Sequence, residues 1–130
     1  MPDYGIRKTV KLPYDKAVER ATTVLVENGF GILTEIDIKA KLEEKLGVDF
    51  RRYMILGACN PPLAHKALLA EPEIGLLLPC NVIVYEIDEN TSVVSAIDPG
   101  MMAQIVPDNE TVKQVAMDAK TRLTKAIGEL

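Results

Sequence analysis

Hydrophobic and polar positions along this chain switch between a period near two residues and a period near 3.6, and the switches mark out its elements. Over residues 4–12, Tyr4, Ile6, Val10 and Leu12 fall on one side and Arg7, Thr9 and Lys11 on the other, which predicts a half-buried strand. Residues 14–28 repeat at helical spacing, with Ala17, Val18, Ala21, Val24 and Leu25 as the inner stripe. Asn28-Gly29 stops that helix, because glycine enters the left-handed conformation without steric cost. A second strand is predicted over residues 31–36. Asp37 then caps a short helix with Ile38, Leu42 and Leu46 on one side, ended by Gly47.

Residues 53–59, Tyr-Met-Ile-Leu-Gly-Ala-Cys, are almost continuously apolar. Such a strand is covered on both faces or lies at the centre of a sheet. Asn60 caps the following helix and Pro61 suits its first turn, where no N–H is needed; Leu63, Ala64, Ala67 and Leu68 form its inner face. Glu71-Pro72 ends it. A connector over residues 74–79 leads to a strand at 82–87, a polar tip at 88–91 and a second strand at 93–97, an antiparallel hairpin. Asp98-Pro99-Gly100 breaks that strand, and Met101-Met102-Ala103 begins a loop or a single turn. The last helix starts at Pro107-Asp108 with Asp108 as its cap. Its inner stripe is Val112, Val115, Ala116, Ala119, Leu123, Ala126 and Ile127.

The predicted order is β-α-β-α-β-α-β-β-α. The terminal hairpin does not belong to a strictly alternating parallel scheme. The expectation is therefore an α+β fold, a mainly antiparallel sheet with its helices packed on one face. Small residues at Ala21 and Ala119 let the two long helices approach closely. A length of 130 residues suits a single domain over residues 1–130. An apolar fraction of 48% with 26% charged residues is that of a folded chain that needs no metal or disulfide merely to fold. A net charge of −4 opposes a general nucleic-acid binder, which needs a basic surface to displace phosphate counterions. The first eight residues contain no apolar leader core and no apolar run is long enough to span a bilayer. The expected location is the cytoplasm, where the two cysteines are reduced.

The dipeptide Cys-Asn occurs twice, as Cys59-Asn60 at the end of one strand and Cys80-Asn81 at the start of another. If those strands are antiparallel neighbours, both thiols meet at one end of the sheet. Cys59 would also precede a helix N-terminus, where free N–H groups stabilise a thiolate. The chemistry this pattern could serve is a redox dithiol, a ligand pair or a nucleophile; the plainer reading is two small buried hydrophobes. His65, the single histidine, lies six residues beyond Cys59. Cys59, Cys80 and His65 have the ligand types of a soft-metal site, although a histidine flanking the apolar stripe needs no such role. Met101 and Met102 could line an apolar pocket or simply fill the core around a turn. No phosphate loop, zinc-protease helix or nucleophile elbow is present.

Four blocks, Asn28-Gly29-Phe30-Gly31-Ile32-Leu33-Thr34-Glu35-Ile36-Asp37, Lys45-Leu46-Gly47-Val48-Asp49-Phe50, Ile55-Leu56-Gly57-Ala58-Cys59-Asn60-Pro61-Pro62-Leu63-Ala64 and Leu78-Pro79-Cys80-Asn81-Val82, occur in an order that resembles the prokaryotic family called domain of unknown function 302, over residues 4–128. The resemblance implies a sheet with helices on one side, similar to the TATA-binding-protein-like fold, and often a homodimer. It implies no reaction, so it transfers no catalytic residues and no cofactor. The functional expectation is a cytoplasmic binding or accessory domain that holds a small ligand, metal or partner near Cys59, Asn60, His65, Cys80, Asn81, Met101 and Met102. The competing expectation is a thiol-dependent enzyme or redox carrier using Cys59 and Cys80. A homodimer is also expected because two long helices leave one sheet face poorly covered.

Overall fold

The computed structural model describes residues 4–130. Residues 1–3, part of the stretch read above for a leader, lie outside the described residues. Five strands, β1 (Gly5–Val10), β2 (Gly31–Asp37), β3 (Tyr53–Cys59), β4 (Cys80–Asp88) and β5 (Thr91–Ile97), form one sheet in the order β1-β5-β4-β3-β2. Every neighbouring pair is antiparallel. The helices are α1 (Tyr14–Glu27), α2 (Ile38–Leu46), α3 (Pro61–Ala70), α4 (Gly100–Ile105) and α5 (Glu110–Gly128), with a 3-10 helix at Pro72–Leu77.

Alternation along the strands divides the sheet into a helix-covered face and an open one. Leu56, Ala58, Val82, Val84, Val94 and Ala96 point one way and are fully buried. Above them lie α1 and α5, packed on each other and on the sheet, as the fold class requires. The seven-residue stripe of α5 is buried throughout, and Ala17, Ala21, Val24 and Leu25 of α1 meet it. Val18 only flanks the core. Tyr53, Ile55, Ile83 and Tyr85 follow the opposite alternation on β3 and β4 and stay half-buried. The rings of Tyr53 and Tyr85 stack across these strands at 5.6 Å.

Local chemistry explains where the elements begin and end. Asp37 accepts a hydrogen bond from the Ala40 amide and caps α2; Asn60 does the same for the Leu63 amide at α3. Gly29 and Gly47 take φ values of 88° and 65°, the left-handed region that other residues rarely enter.

The structure differs from the expected pattern at several places. The cap of α5 is Asn109, which accepts from the Val112 amide at 3.1 Å, one residue beyond Asp108. Its amide nitrogen also donates to the Ala70 carbonyl, a tertiary bond that fixes the cap at that position. Helix α2 buries none of its residues. It lies at the β2 edge, so Leu46 is exposed while Ile38 and Leu42 are half-covered. On α3 only Leu63 and Ala67 are buried, and Leu68 is exposed, although the helix packs on α5. The central strand is β4 rather than β3; β3 is deeply buried only from Leu56 to Ala58. The segment after Pro99 forms the short helix α4, and the connector before β4 contains the 3-10 helix.

Candidate functional site

At one end of the sheet β4 begins, β3 and β5 finish, and the chain enters β1. Strands β3 and β4 are antiparallel neighbours, and their register sets Ala58 opposite Cys80. The two cysteines are therefore diagonal neighbours at that end. Because successive strand residues face opposite sides, Cys80 shares the helix-covered face with Ala58, while Cys59 is the last residue of β3, offset from it by one position. Both thiols are free.

Neither thiol is activated. Burial pushes Cys59 above its usual range. Burial, reinforced by the neighbouring Cys59, pushes Cys80 up to about 11. Loss of hydration outweighs the pull of the α3 N-terminus, whose amide at Leu63 is already taken by Asn60. Thiols raised in this way give no support to a cysteine nucleophile or a redox carrier. His65 lies on the exposed side of α3, between Leu63 and Ala67, which point inward. Among the described residues no three His, Cys, Asp or Glu side chains gather as a metal site, so Cys59, Cys80 and His65 do not assemble the expected ligand set.

Two spaces adjoin the cysteines. The inner one, of about 20 Å³, borders Phe30, Cys59, Asn60, Leu63, Cys80 and Met102 and has room for roughly one water molecule. The outer one is a cleft of about 350 Å³. Its walls come from three stretches of chain: the end of the 3-10 helix through Asn81, the turn from Ile97 into α4, and Tyr4 before β1. Leu78, Cys80 and Met102 border both spaces and form the partition between them.

The cleft takes in Cys80, Asn81, Met101 and Met102 among the residues singled out from the sequence, while Cys59 and Asn60 border only the inner space and His65 neither. Leu76, Leu77, Pro79, Pro99 and Ile105 also line the cleft and had escaped sequence reasoning. The apolar run Ile74-Gly75-Leu76-Leu77-Leu78 was the available signal for Leu76 and Leu77. Leu76, Ile105 and Tyr4 remain 82%, 58% and 58% exposed, so the cleft has an uncovered apolar rim.

The polar side chains of the lining are Tyr4, Asn81 and Asp98. Asp98 accepts from the Gly100 amide at 2.8 Å and pairs with Lys120 of α5 at 3.1 Å. Asn81 is exposed at the start of β4. An apolar hollow with a few polar groups is the usual form of a small-molecule site. No helix among the described residues is long and apolar enough to cross a membrane.

Residues 6–130 match the family model described as domain of unknown function DUF302. Among solved structures, the chain is similar to an uncharacterised conserved DUF302 protein from Bacillus stearothermophilus. The two are 29% identical, with 98% of each chain covered and a TM-score of 0.86. No curated protein matches the chain.

Proposed function

The chain belongs to the DUF302 family, and we propose that it acts as a binding or accessory domain for a small, largely apolar molecule seated in the cleft between the 3-10 helix, α4 and the end of the sheet. The cleft itself carries this reading. Its volume of about 350 Å³ is within the range of small-molecule sites, roughly 300–1,000 Å³. Met101 and Met102 give it adaptable walls, since unbranched thioether side chains reshape around a guest at little cost. Cys80 serves there as a small apolar wall residue, and the pair of free thiols suits a reducing cytoplasm.

The test uses methyl resonances of the 5 methionines during titration with the neutral apolar fluorophore N-phenyl-1-naphthylamine. Met101 and Met102 line the cleft, and Met117 on α5 is 70% exposed outside it. Saturable shifts confined to Met101 and Met102 are the expected result. Shifts spread evenly over all the methyls, or none at saturating probe, would overturn the reading.

A separate observation favours association with a second copy of the chain. The open sheet face presents half-buried Tyr53, Ile55, Ile83 and Tyr85, flanked by Ile36 and Phe50, which are 41% and 39% exposed. Contiguous apolar surface of this kind marks interfaces, and a two-fold pair lets one patch cover its own copy.

A further inference from the structure

Resting on the cleft as a ligand site, we infer that its ligand is an apolar molecule carrying a hydrogen-bond donor, a hydroxyl or a protonated amine, and not a carboxylic acid. The inference comes from the polarity of the walls. Among the described residues lining the cleft, Asp98 is the single Asp, Glu, Lys, Arg or His. Its side chain is 19% exposed, so its charge acts in a medium less polar than water. Backbone Gly100 N–H binds one carboxylate oxygen and Lys120 pairs with the other. An ionised carboxylate offers about four acceptor positions, so acceptor capacity remains after both bonds.

Lys120 is absent from the cleft lining, its side chain is 53% exposed, and it reaches Asp98 from α5. No cation of the described lining therefore faces a bound molecule. A carboxylate guest would lose its hydration, meet Asp98 as a like charge and gain no ion pair, all unfavourable. A hydroxyl or ammonium would meet an acceptor already held in place. Asn81 and Tyr4, which also line the cleft, can each donate or accept and so favour neither head group.

The experiment is competition against N-phenyl-1-naphthylamine by 1-octanol, octylammonium and octanoate, which share a chain and differ at the head. Octanol and octylammonium should displace the probe at concentrations at least tenfold below octanoate. Asp98→Asn should erase at least half of the octylammonium advantage on a logarithmic scale. Lys120→Ala should strengthen octylammonium and leave octanoate weak, because it removes the carboxylate's partner but not the carboxylate. Octanoate competing as well as octanol, or selectivity unchanged in Asp98→Asn, would overturn the donor assignment while leaving the cleft as a site. Failure of the probe to shift the Met101 and Met102 methyls would overturn the cleft reading and the assignment with it.

Discussion

Cys80 should react as a buried, unactivated thiol, and the structure sets how slowly. Burial raises it from an ordinary 9.0 to about 11. At pH 8 the thiolate fraction then falls from roughly 9% to roughly 0.1%, a factor of about ninety by the titration relation. The more basic thiolate is intrinsically more nucleophilic, and a Brønsted slope of about 0.45 returns roughly eightfold. Electrostatics alone therefore leave Cys80 about tenfold slower than an ordinary cysteine, before any cost of exposing a residue only 8% accessible. Cys59→Ala leaves Cys80 as the single thiol of a chain with 2 cysteines, so its reaction with Ellman's reagent can be followed alone. The rate should climb with pH towards a midpoint near 11. The same shift links to stability. The folded thiol holds its proton more tightly than the unfolded one, so the contribution is complete below pH 9 and is lost as pH rises through 11. The loss is about 2–3 kcal/mol by the conversion of pKa to free energy. Tyr14, raised to about 12 mainly by burial, adds a similar decline at higher pH. Urea midpoints of wild type minus Cys80→Ala cancel that decline and isolate the cysteine. A reactivity midpoint at or below pH 9, or a difference curve flat from pH 9 to 11, would refute the buried-thiol account and restore Cys80 as a candidate nucleophile.

Three further outcomes are expected. Asn109→Ala should lower unfolding free energy by about 1–2 kcal/mol, the usual worth of a helix cap, while Asp108→Ala changes it by less than about 0.5 kcal/mol, as at most surface positions; equal losses in urea unfolding would return the cap to Asp108. Leu123→Ala, at a fully buried position of α5, should cost about 2–5 kcal/mol, and a loss below 1 kcal/mol by the same assay would contradict the close α1–α5 packing. Light scattering at micromolar concentration should give a dimer mass for the wild type and a monomer mass for Ile83→Glu, whose charge would sit in the open face; a wild-type monomer, or an unchanged dimer in the variant, refutes association through that face.

The elements were legible wherever one face of a segment meets a single continuous core. Helix α5 is the clearest instance, since all seven stripe residues read from its period are buried. Glycine stops at Gly29 and Gly47 and side-chain caps at Asp37 and Asn60 were legible for a different reason: they depend on residues within three or four positions. Readings failed where distant contacts decide. Asp108 and Asn109 are both good caps by residue type, and the Ala70 carbonyl, 39 residues away, holds Asn109 in that place. Leu68 was assigned to the inner face of α3 because it shares an apolar stripe with Leu63 and Ala67, yet it is 41% exposed; the one-sided stripe of α2 is likewise left without a buried residue.

The site divides along the same line. Adjacent placement of the Cys59 and Cys80 strands followed from the chain's need to return to the same sheet end, and the sheet has that pairing. Their offset by one position did not follow, because it depends on the strand register. Had Cys59 rather than Ala58 stood opposite Cys80, both thiols would share one face and a disulfide would be geometrically natural. The observed register instead leaves Cys80 to the helix-covered face, beside Leu78 and Met102 and against the cleft. The pair of cysteines thus marked the end of the sheet at which the proposed cleft lies. The proposed cleft is formed there by the meeting of Leu76–Leu78, Met101–Met102 and Ile105, segments separated by a hairpin. Their apolar character was visible in the chain, but only the fold brings them around one hollow.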